Sequence, residues 1–349
     1  MQYNANRRAV LTAGLGTLGG LCTESKSIAA AKTTLLFPRD HHVHPIFLSE
    51  TWQLAGMAKA GPEEFGFQVT FFRTRAGGGR RWQAHASITD VSGARYWHGQ
   101  RANDGDAKSS AVTGNPMTAK LSVGDWSLTI GSRETSASVN TDAFSLALSM
   151  TPLQPVLLHG EAGLLRQGPA DDQVSYQYSM PQAAVQGALV LQGRRLSIQG
   201  DAWLNHEWSP NPLSPQAVGW DRFTMNLFDG SFVDAYQLRD KSGDRLWDGG
   251  IFRTGKGQRF EFRRGSVEFR RQKSWKSLLT QANYPVEWIV RTPADFYTVR
   301  AVLHQQELDS RPATDGVYWK GLSDLLDSNG HHIGRGLLEM TGYAQAKSL

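Results

Sequence analysis

The sequence predicts an all-β protein made of two successive series of antiparallel strands, and three observations carry that reading. From about residue 65, apolar and polar side chains alternate with a period of two, as in strands that bury one face and wet the other. Glycine is abundant, at 36 of 349 residues, while sustained helical periodicity is scarce. No helix of confident length separates one alternating run from the next, so the chain must return on itself by hairpins.

Residues 1–31 stand apart from this pattern. "MQYNANRRAVLTAGLGTLGGL" has a polar start, the pair Arg7 and Arg8, and a weakly apolar run too short and mild to span a membrane stably. It resembles a twin-arginine export signal, with Ala29, Ala30 and Ala31 as a small-residue cleavage site and a periplasmic destination. A lipoprotein box at Cys22 is the rival, but Leu21 stands where a small residue is expected. Cys22 is the single cysteine, so a mature chain without residues 1–31 excludes disulfides, cysteine nucleophiles and thiolate metal sites. Its removal with Arg7, Arg8, Lys26 and Glu24 takes the formal charge from +5 to +3, too small an excess to argue for nucleic acid.

The first strand series comprises "GFQVTFFR", "WQAHASITD", "LSVGDWSLTI" and "AFSLALSM", whereas "SYQYSMPQAAVQG" reads as a loop or short turn. A second series begins near 187 with "ALVLQGRRLSIQGDAWL" and continues through "RFTMNLFDGSFVDAYQLR", "RFEFRRGSVEFRR", "VEWIVRT", "FYTVRAVL" and "GRGLLEMTGY". The two series fit two barrels or sandwiches, 32–195 and 196–349. Within the second, residues 253–276 are the densest basic stretch; they read as a hairpin with one solvated face, with contact to anionic lipid headgroups as the alternative.

Three constellations carry chemistry. Asp229-Gly230 predicts a two-residue hairpin loop, with Met225 facing Asp234 and Phe223 facing Tyr236. On that register Phe223, Met225, Leu227, Phe232, Asp234, Tyr236 and Leu238 share one face, and Asp221 has the same parity. Asp234 is then a carboxyl among apolar groups, which raises its pKa and lets it donate a proton near neutrality; an aspartate paired with an arginine is the structural alternative. In "GDAWLNHEW", parity puts Ala202, Leu204, His206 and Trp208 on one face and Trp203, Asn205 and Glu207 on the other, so His206 and Trp208 fall at the inward rim of the second barrel. "FPRDHHVHP" gathers His41, His42 and His44, but with neither cysteine nor HExxH beside them no metal is expected. No GxSxG elbow or Walker loop is present, which leaves serine-hydrolase and nucleotide chemistry without support.

Taken in order, "FPRDHHVHP", "GFQVTFFR", "AWLNHEWSP", "GWDRFTMNLFDG", "YPVEWIV", "QQEL", "YWKGL" and "GLLEMTGY" resemble the AttH/carotenoid 1,2-hydratase family over residues 37–343. The resemblance implies two lipocalin-like β-barrel domains, and either acid-catalysed hydration of a C=C bond or no established reaction. One departure stands out: the family tends toward Glu-Trp-Trp where this chain has Glu50-Thr51-Trp52.

Two functions stand as expectations. The first is an exported binder of an apolar lipid or isoprenoid, serving an ABC-type envelope transporter, with the ligand in a barrel mouth or interdomain cleft. The second is a hydro-lyase without cofactor, in which Asp234, or Asp221, protonates an isoprenoid double bond. Tyr236, Trp208 and Trp220 would line that site with Phe223 and Met225, and His206 would orient water. A pericyclase-like folding of a polyene is a third expectation.

Overall fold

The computed structural model describes residues 34–345 except 77–78, 105–109, 114–115, 211–213 and 312–315. The export signal expected at residues 1–31 and Cys22 lie outside the described residues. Apart from a single 3-10 turn at Arg39–His41, the described elements are all strands. The first sheet contains β1 (Ser49–Ala60), β2 (Glu63–Ala76), β3 (Gly79–Asp90), β4 (Arg95–Asp104), β5 (Ser110–Thr113), β6 (Thr118–Val123), β7 (Trp126–Gly131), β8 (Thr135–Asn140), β9 (Phe144–Pro152), β10 (Leu157–Leu158), β11 (Leu164–Arg166), β12 (Val174–Leu191) and β13 (Arg194–Ser209). The second contains β14 (Gly219–Leu227), β15 (Phe232–Arg239), β16 (Arg245–Arg253), β17 (Arg259–Phe262), β18 (Glu268–Lys276), β19 (Asn283–Arg291), β20 (Phe296–Ala301), β21 (Glu307–Asp309), β22 (Val317–Leu326) and β23 (His332–Met340).

Both sheets are antiparallel and curl around their own apolar cores, which is the lipocalin-like architecture expected. In the first the order is β4-β3-β2-β1-β13-β12-β9-β8-β7-β6-β5. It curls until β3 and β4 meet β6; there the Arg101 guanidinium donates to the Asn140 carbonyl at 2.9 Å and lies over the Trp126 ring. Alternation explains the core: Trp52, Leu54, Val69, Phe71, Ala84 and Leu204 all point inward and are fully buried. The second sheet runs β17-β16-β15-β14-β23-β22-β20-β19-β18 around Phe223, Met225, Trp288 and Trp319. Large side chains thus fill both interiors.

Residues 253–276 are not a hairpin, since β17 pairs with β16 and β18 with β19 at opposite ends of the second sheet's strand order. Three further sequence expectations change at this level. β13 pairs with β1 and β12, so the strand bearing "GDAWLNHEW" belongs to the first sheet, and the chain changes sheet after Ser209 rather than near 195. A strand pairing between residues 49–59 and 199–209 cannot be read from local alternation. "SYQYSMPQAAVQG" is not a loop but lies within β12, where the register shifts between Met180 and Ala183 around Pro181. A bulge accommodates a residue that cannot donate to the ladder. Gln182, at φ 51°, leaves that bulge to donate to the carbonyls of Leu227 and Ser231 in the second sheet.

The third change is at the β14–β15 turn. The register is Asn226 to Phe232 and Thr224 to Asp234, with Leu227 and Ser231 closing the loop and Gly230 at φ 83°. The extra loop residue slips the register by one against the two-residue reading, and a one-residue slip moves a strand's side chains to the other face. Phe223, Met225 and Leu227 accordingly share the second core with Val233 and Ala235, while Asp234 and Tyr236 face the other way.

That other face packs on the first sheet. Phe232, Ile251 and Leu337 meet Ala55, Leu157 and Trp203 in a small apolar cluster. Gly66 of β2 lets the sheets approach here, since an added Cβ would stand 3.0 Å from the Leu322 side chain. Asn226 donates to the Ala202 carbonyl at 3.1 Å across the seam.

Candidate functional site

Two polar clusters occupy opposite faces of the first sheet. The first closes the end of its barrel. Inward positions there are Glu50, Trp52, Arg73, Tyr178, His206 and Trp208, in register on β1, β2, β12 and β13. Residues 34–48 lie over them as a plug, tied down by Arg73, whose Nη2 donates to the carbonyls of His44 (2.9 Å) and Phe47 (3.1 Å). Trp52 Nε1 donates to the His41 carbonyl at 3.3 Å.

Beneath the plug the side chains form one relay. His41 Nδ1 lies 2.7 Å from the Tyr178 hydroxyl, which lies 3.2 Å from His206 Nδ1; His206 Nε2 and His44 Nδ1 reach Glu50 Oε1 at 2.9 and 2.7 Å. Arg73 Nε donates to Glu50 Oε2 at 3.1 Å. Desolvation brings His41 and His206 down to about 4, so both rings are neutral at pH 7. Burial alone would raise Glu50, but the hydrogen bonds from His206 and His44 outweigh it and lower the carboxyl to about 2. Desolvation likewise works against the His44 cation, yet Asp40 and Glu50 hold its pKa above the ordinary value. The His44 ring stacks on Trp208 at 3.8 Å and 5°.

His44, Glu50 and His206 place three ligand atoms within 4.8 Å of one another, the arrangement among the described residues that could hold a metal. The donor set does not fit a cation. Both imidazoles are engaged with Glu50, and the Arg73 guanidinium on its second oxygen adds a positive charge where a divalent ion would have to sit.

The second cluster lies in the seam between the sheets. On the first sheet, the row Gln177, Glu207, Thr51, Phe72 and Gln83 faces it, beside the row Ser179, Asn205, Gln53, Thr70 and His85. On the second sheet, Tyr236, Arg222, Glu339 and Lys320 stand in register, with Trp220 and Tyr318 beyond them. Arg222 is the hinge of the charge pattern: it donates to both Asp234 oxygens at 2.8–3.1 Å and to Glu207 Oε2 at 3.3 Å. Burial disfavours its cation, but Asp234 and Glu207 reverse that and raise its pKa. Lys320 pairs with Glu339 at 2.7 Å, and Trp220 Nε1 donates to the same carboxylate at 2.9 Å. Desolvation of Glu339 is overcome by Lys320, leaving its pKa at about 2.

Two features set this seam apart. Thr51, Phe72, Glu207, Trp220, Arg222 and Tyr318 are only half-buried although they lie between packed sheets. Deeper in, the Thr70 hydroxyl, both amide atoms of Gln177 and the Ser175 hydroxyl are buried without a protein hydrogen-bond partner. Buried polar atoms of that kind cost about 1–3 kcal/mol each unless something else satisfies them.

The expected site residues therefore divide. Trp220, Asp234 and Tyr236 meet in the seam, Tyr236 donating to the Arg166 carbonyl at 3.1 Å. Asp234 is an ion-paired carboxylate that also accepts from Thr224 at 2.7 Å, not an apolar-pocket acid, because the register slip puts Arg222 and Thr224 beside it. His206 and Trp208 lie on β13 beneath the first barrel's plug, not at the rim of the second barrel, and Phe223 and Met225 are core residues of the second sheet. Asp221 is buried with Arg239, Gln237 and Tyr343 as donors. The residues missed are Glu207, Arg222, Lys320, Glu339, Thr70 and Gln177. The available signal was the lone charge in otherwise apolar strands, Lys320 in "VYWKGL" and Glu339 in "GLLEM".

One further carboxyl borders the seam. Glu261 is in register with Ile251 and Asp234 on the same face, and burial raises it to about 7 despite Arg259 nearby. It stands beside an open groove of about 460 Å³ that Leu157, Leu158, Arg253 and Arg259 help to line.

A model of the AttH-like family matches residues 28–343. The chain belongs to the AttH-like family. A crystal structure of a Nitrosomonas europaea protein assigned to AttH is 34% identical, covers 90% of this chain and 99% of its own, and superposes with a TM-score of 0.85. Kievitone hydratase from Nectria haematococca shares the fold of this AttH-like chain at 14% identity, with 90% and 94% of the two chains covered and a TM-score of 0.71. CghA in complex with Sch210972 does so at 13% identity, covering 85% and 88%, with a TM-score of 0.56. No curated protein sequence matches.

Proposed function

We propose that the protein binds a small amphipathic ligand in the seam between its sheets, not inside either barrel. The observation that carries this reading is the set of buried, unpartnered polar atoms on Thr70, Gln177 and Ser175, in a seam whose charged groups are already neutralised in pairs. Such a wall offers hydrogen bonds to hydroxyl or carbonyl groups, while Phe72, Trp220 and Tyr318 offer ring faces to an apolar body such as a lipid or isoprenoid. Thr51 adjoins Phe72 and Glu207 in this wall, so the aromatic that the family pattern would place there is missing from the seam itself. The N-terminal arginine pair supports export to the periplasm, where service to an envelope transporter belongs to the same proposal.

A second reading, a hydro-lyase, is favoured by Glu261. A carboxyl raised to about 7 can protonate one carbon of a double bond near neutrality; water then adds to the cation and returns a proton to the carboxylate. The likeness in fold to kievitone hydratase motivates this reading but, at 14% identity, carries only the fold.

The test is native mass spectrometry of the protein purified from its own host, with organic extraction, comparing wild type with a Thr70→Val/Gln177→Leu variant. Retention of one small molecule by wild type and its loss from the folded variant is expected. Equal retention would overturn the seam as the site. A recovered molecule that has gained the elements of water, lost in Glu261→Gln, would favour the hydro-lyase.

A further inference from the structure

The second sheet ends at β18, an edge strand whose residues Arg270, Arg271, Lys273 and Lys276 are exposed. The turn that joins it to β19 holds Leu278 and Leu279 in water, at 85% and 54% exposure. Single exposed apolar residues such as Leu153 and Met117 are ordinary on a soluble surface; two adjacent leucines on the tip of a hairpin are not.

The turn is firmly built. Ser277 Oγ accepts from the amides of Leu279 and Thr280 at 3.0 and 3.1 Å, and its hydroxyl donates to Glu307. Glu307 also accepts from Thr280 at 2.7 Å and from Tyr284 at 2.9 Å. Backbone bonds from Ser277 N to the Ala282 carbonyl and from Gln281 N to the Ser277 carbonyl close the loop. The leucines are thus held out by a fixed scaffold.

The charges around the tip are of one sign in effect. Glu307, half-buried, accepts from its three donors, and Glu287 is paired with Arg300 at 2.8 Å. Glu287 stands in register with Lys273 on the next strand, but its carboxylate is paired with Arg300; Lys273 and Lys276 are exposed on the strand that leads into the turn, and Lys276 adjoins the turn directly.

We infer that this turn docks the protein on an anionic lipid surface. Leu278 and Leu279 enter the boundary between headgroups and acyl chains, and Lys273 and Lys276 meet the lipid phosphates. Apolar side chains with cations on the adjoining strand match the two layers of such a surface, and the rigid turn removes the ordering cost of presenting them. The inference is independent of what the seam binds.

Co-sedimentation with vesicles tests it, using phosphatidylcholine alone and phosphatidylcholine mixed with phosphatidylglycerol. Wild type should bind the mixed vesicles, release in high salt, and ignore the neutral ones. Leu278→Asp/Leu279→Asp should weaken binding about tenfold or more, and Lys273→Gln or Lys276→Gln about fivefold each. These side chains are exposed, so thermal unfolding should be unchanged. Failure of wild type to bind mixed vesicles would overturn the inference and leave a protein partner for the tip; so would undiminished binding by the double leucine variant.

Discussion

The two faces of β13 carry two polar clusters that differ in how fully their hydrogen bonds are made. On the inward face, His206 and Trp208 join His41, His44, Glu50 and Tyr178 in a network where nearly every polar atom is engaged, Nη1 of Arg73 being left over. On the outward face, Glu207 enters a seam where Arg222 and Asp234 are paired but Thr70, Gln177 and Ser175 keep free polar atoms. A satisfied network fixes one arrangement of the chain; an unsatisfied wall favours whatever completes it. The histidine-rich motif, the most conspicuous in the sequence, thus closes a barrel over His206, while the unsatisfied wall proposed to bind a ligand lies on the opposite face of the strand that carries His206.

The largest effect that would break this contrast is at Glu50. Glu50→Leu strands the Arg73 cation in the barrel and should cost about 3–5 kcal/mol in urea unfolding, whereas Glu207→Leu, half-exposed and with Arg222 still on Asp234, should cost about 1 kcal/mol or less. Similar losses at both sites would erase the distinction.

Acid should sharpen it next. His41 in the plug and His206 beneath it, and His159 beside the seam, are held near 4 by desolvation, so the unfolded chain binds more protons than the native one as pH falls from 6.5 toward 4. Stability should therefore drop over that window, by on the order of 1–2 kcal/mol per imidazole at pH 5. His44, raised by Asp40 and Glu50, works in the opposite direction: its contribution is present below 6.5 and lost as pH rises through its higher native value. Below about 4.5 the contribution of Glu50 is lost in turn as its carboxyl titrates toward about 2. Urea midpoints at pH 7, 6 and 5 measure the balance, and a flat profile would mean that the native imidazoles accept protons in place.

The smallest effect is the most specific. Thr70→Val and Gln177→Leu replace unpartnered polar groups by apolar ones of similar size, so each should stabilise the ligand-free protein by up to about 1 kcal/mol while weakening ligand retention. Destabilisation by either would show that the wall is already satisfied.

By itself the sequence determined the strands and their two faces, because both are encoded in local periodicity. Alternation in "GFQVTFFR" and "WQAHASITD" specified strands and their core-facing sides, and parity separated Ala202, Leu204, His206 and Trp208 from Trp203, Asn205 and Glu207, as observed; the polar sides expected in water are buried as well, as at Gln68, Thr70, His85 and Thr89. The ordered motifs also carried the family. Only the tertiary structure decided which cluster each face joins. β13 is placed by pairing with β1, some 150 residues away in the chain, and a strand's partner is set by which sheet can bury its apolar face, information that no short window contains. The acid assignment turned on still less: one extra loop residue at Phe228–Gly230 slipped the hairpin and exchanged an apolar pocket around Asp234 for Arg222 and Thr224. A period of two makes strands legible and makes register decisive, because each single-residue step reverses every side chain.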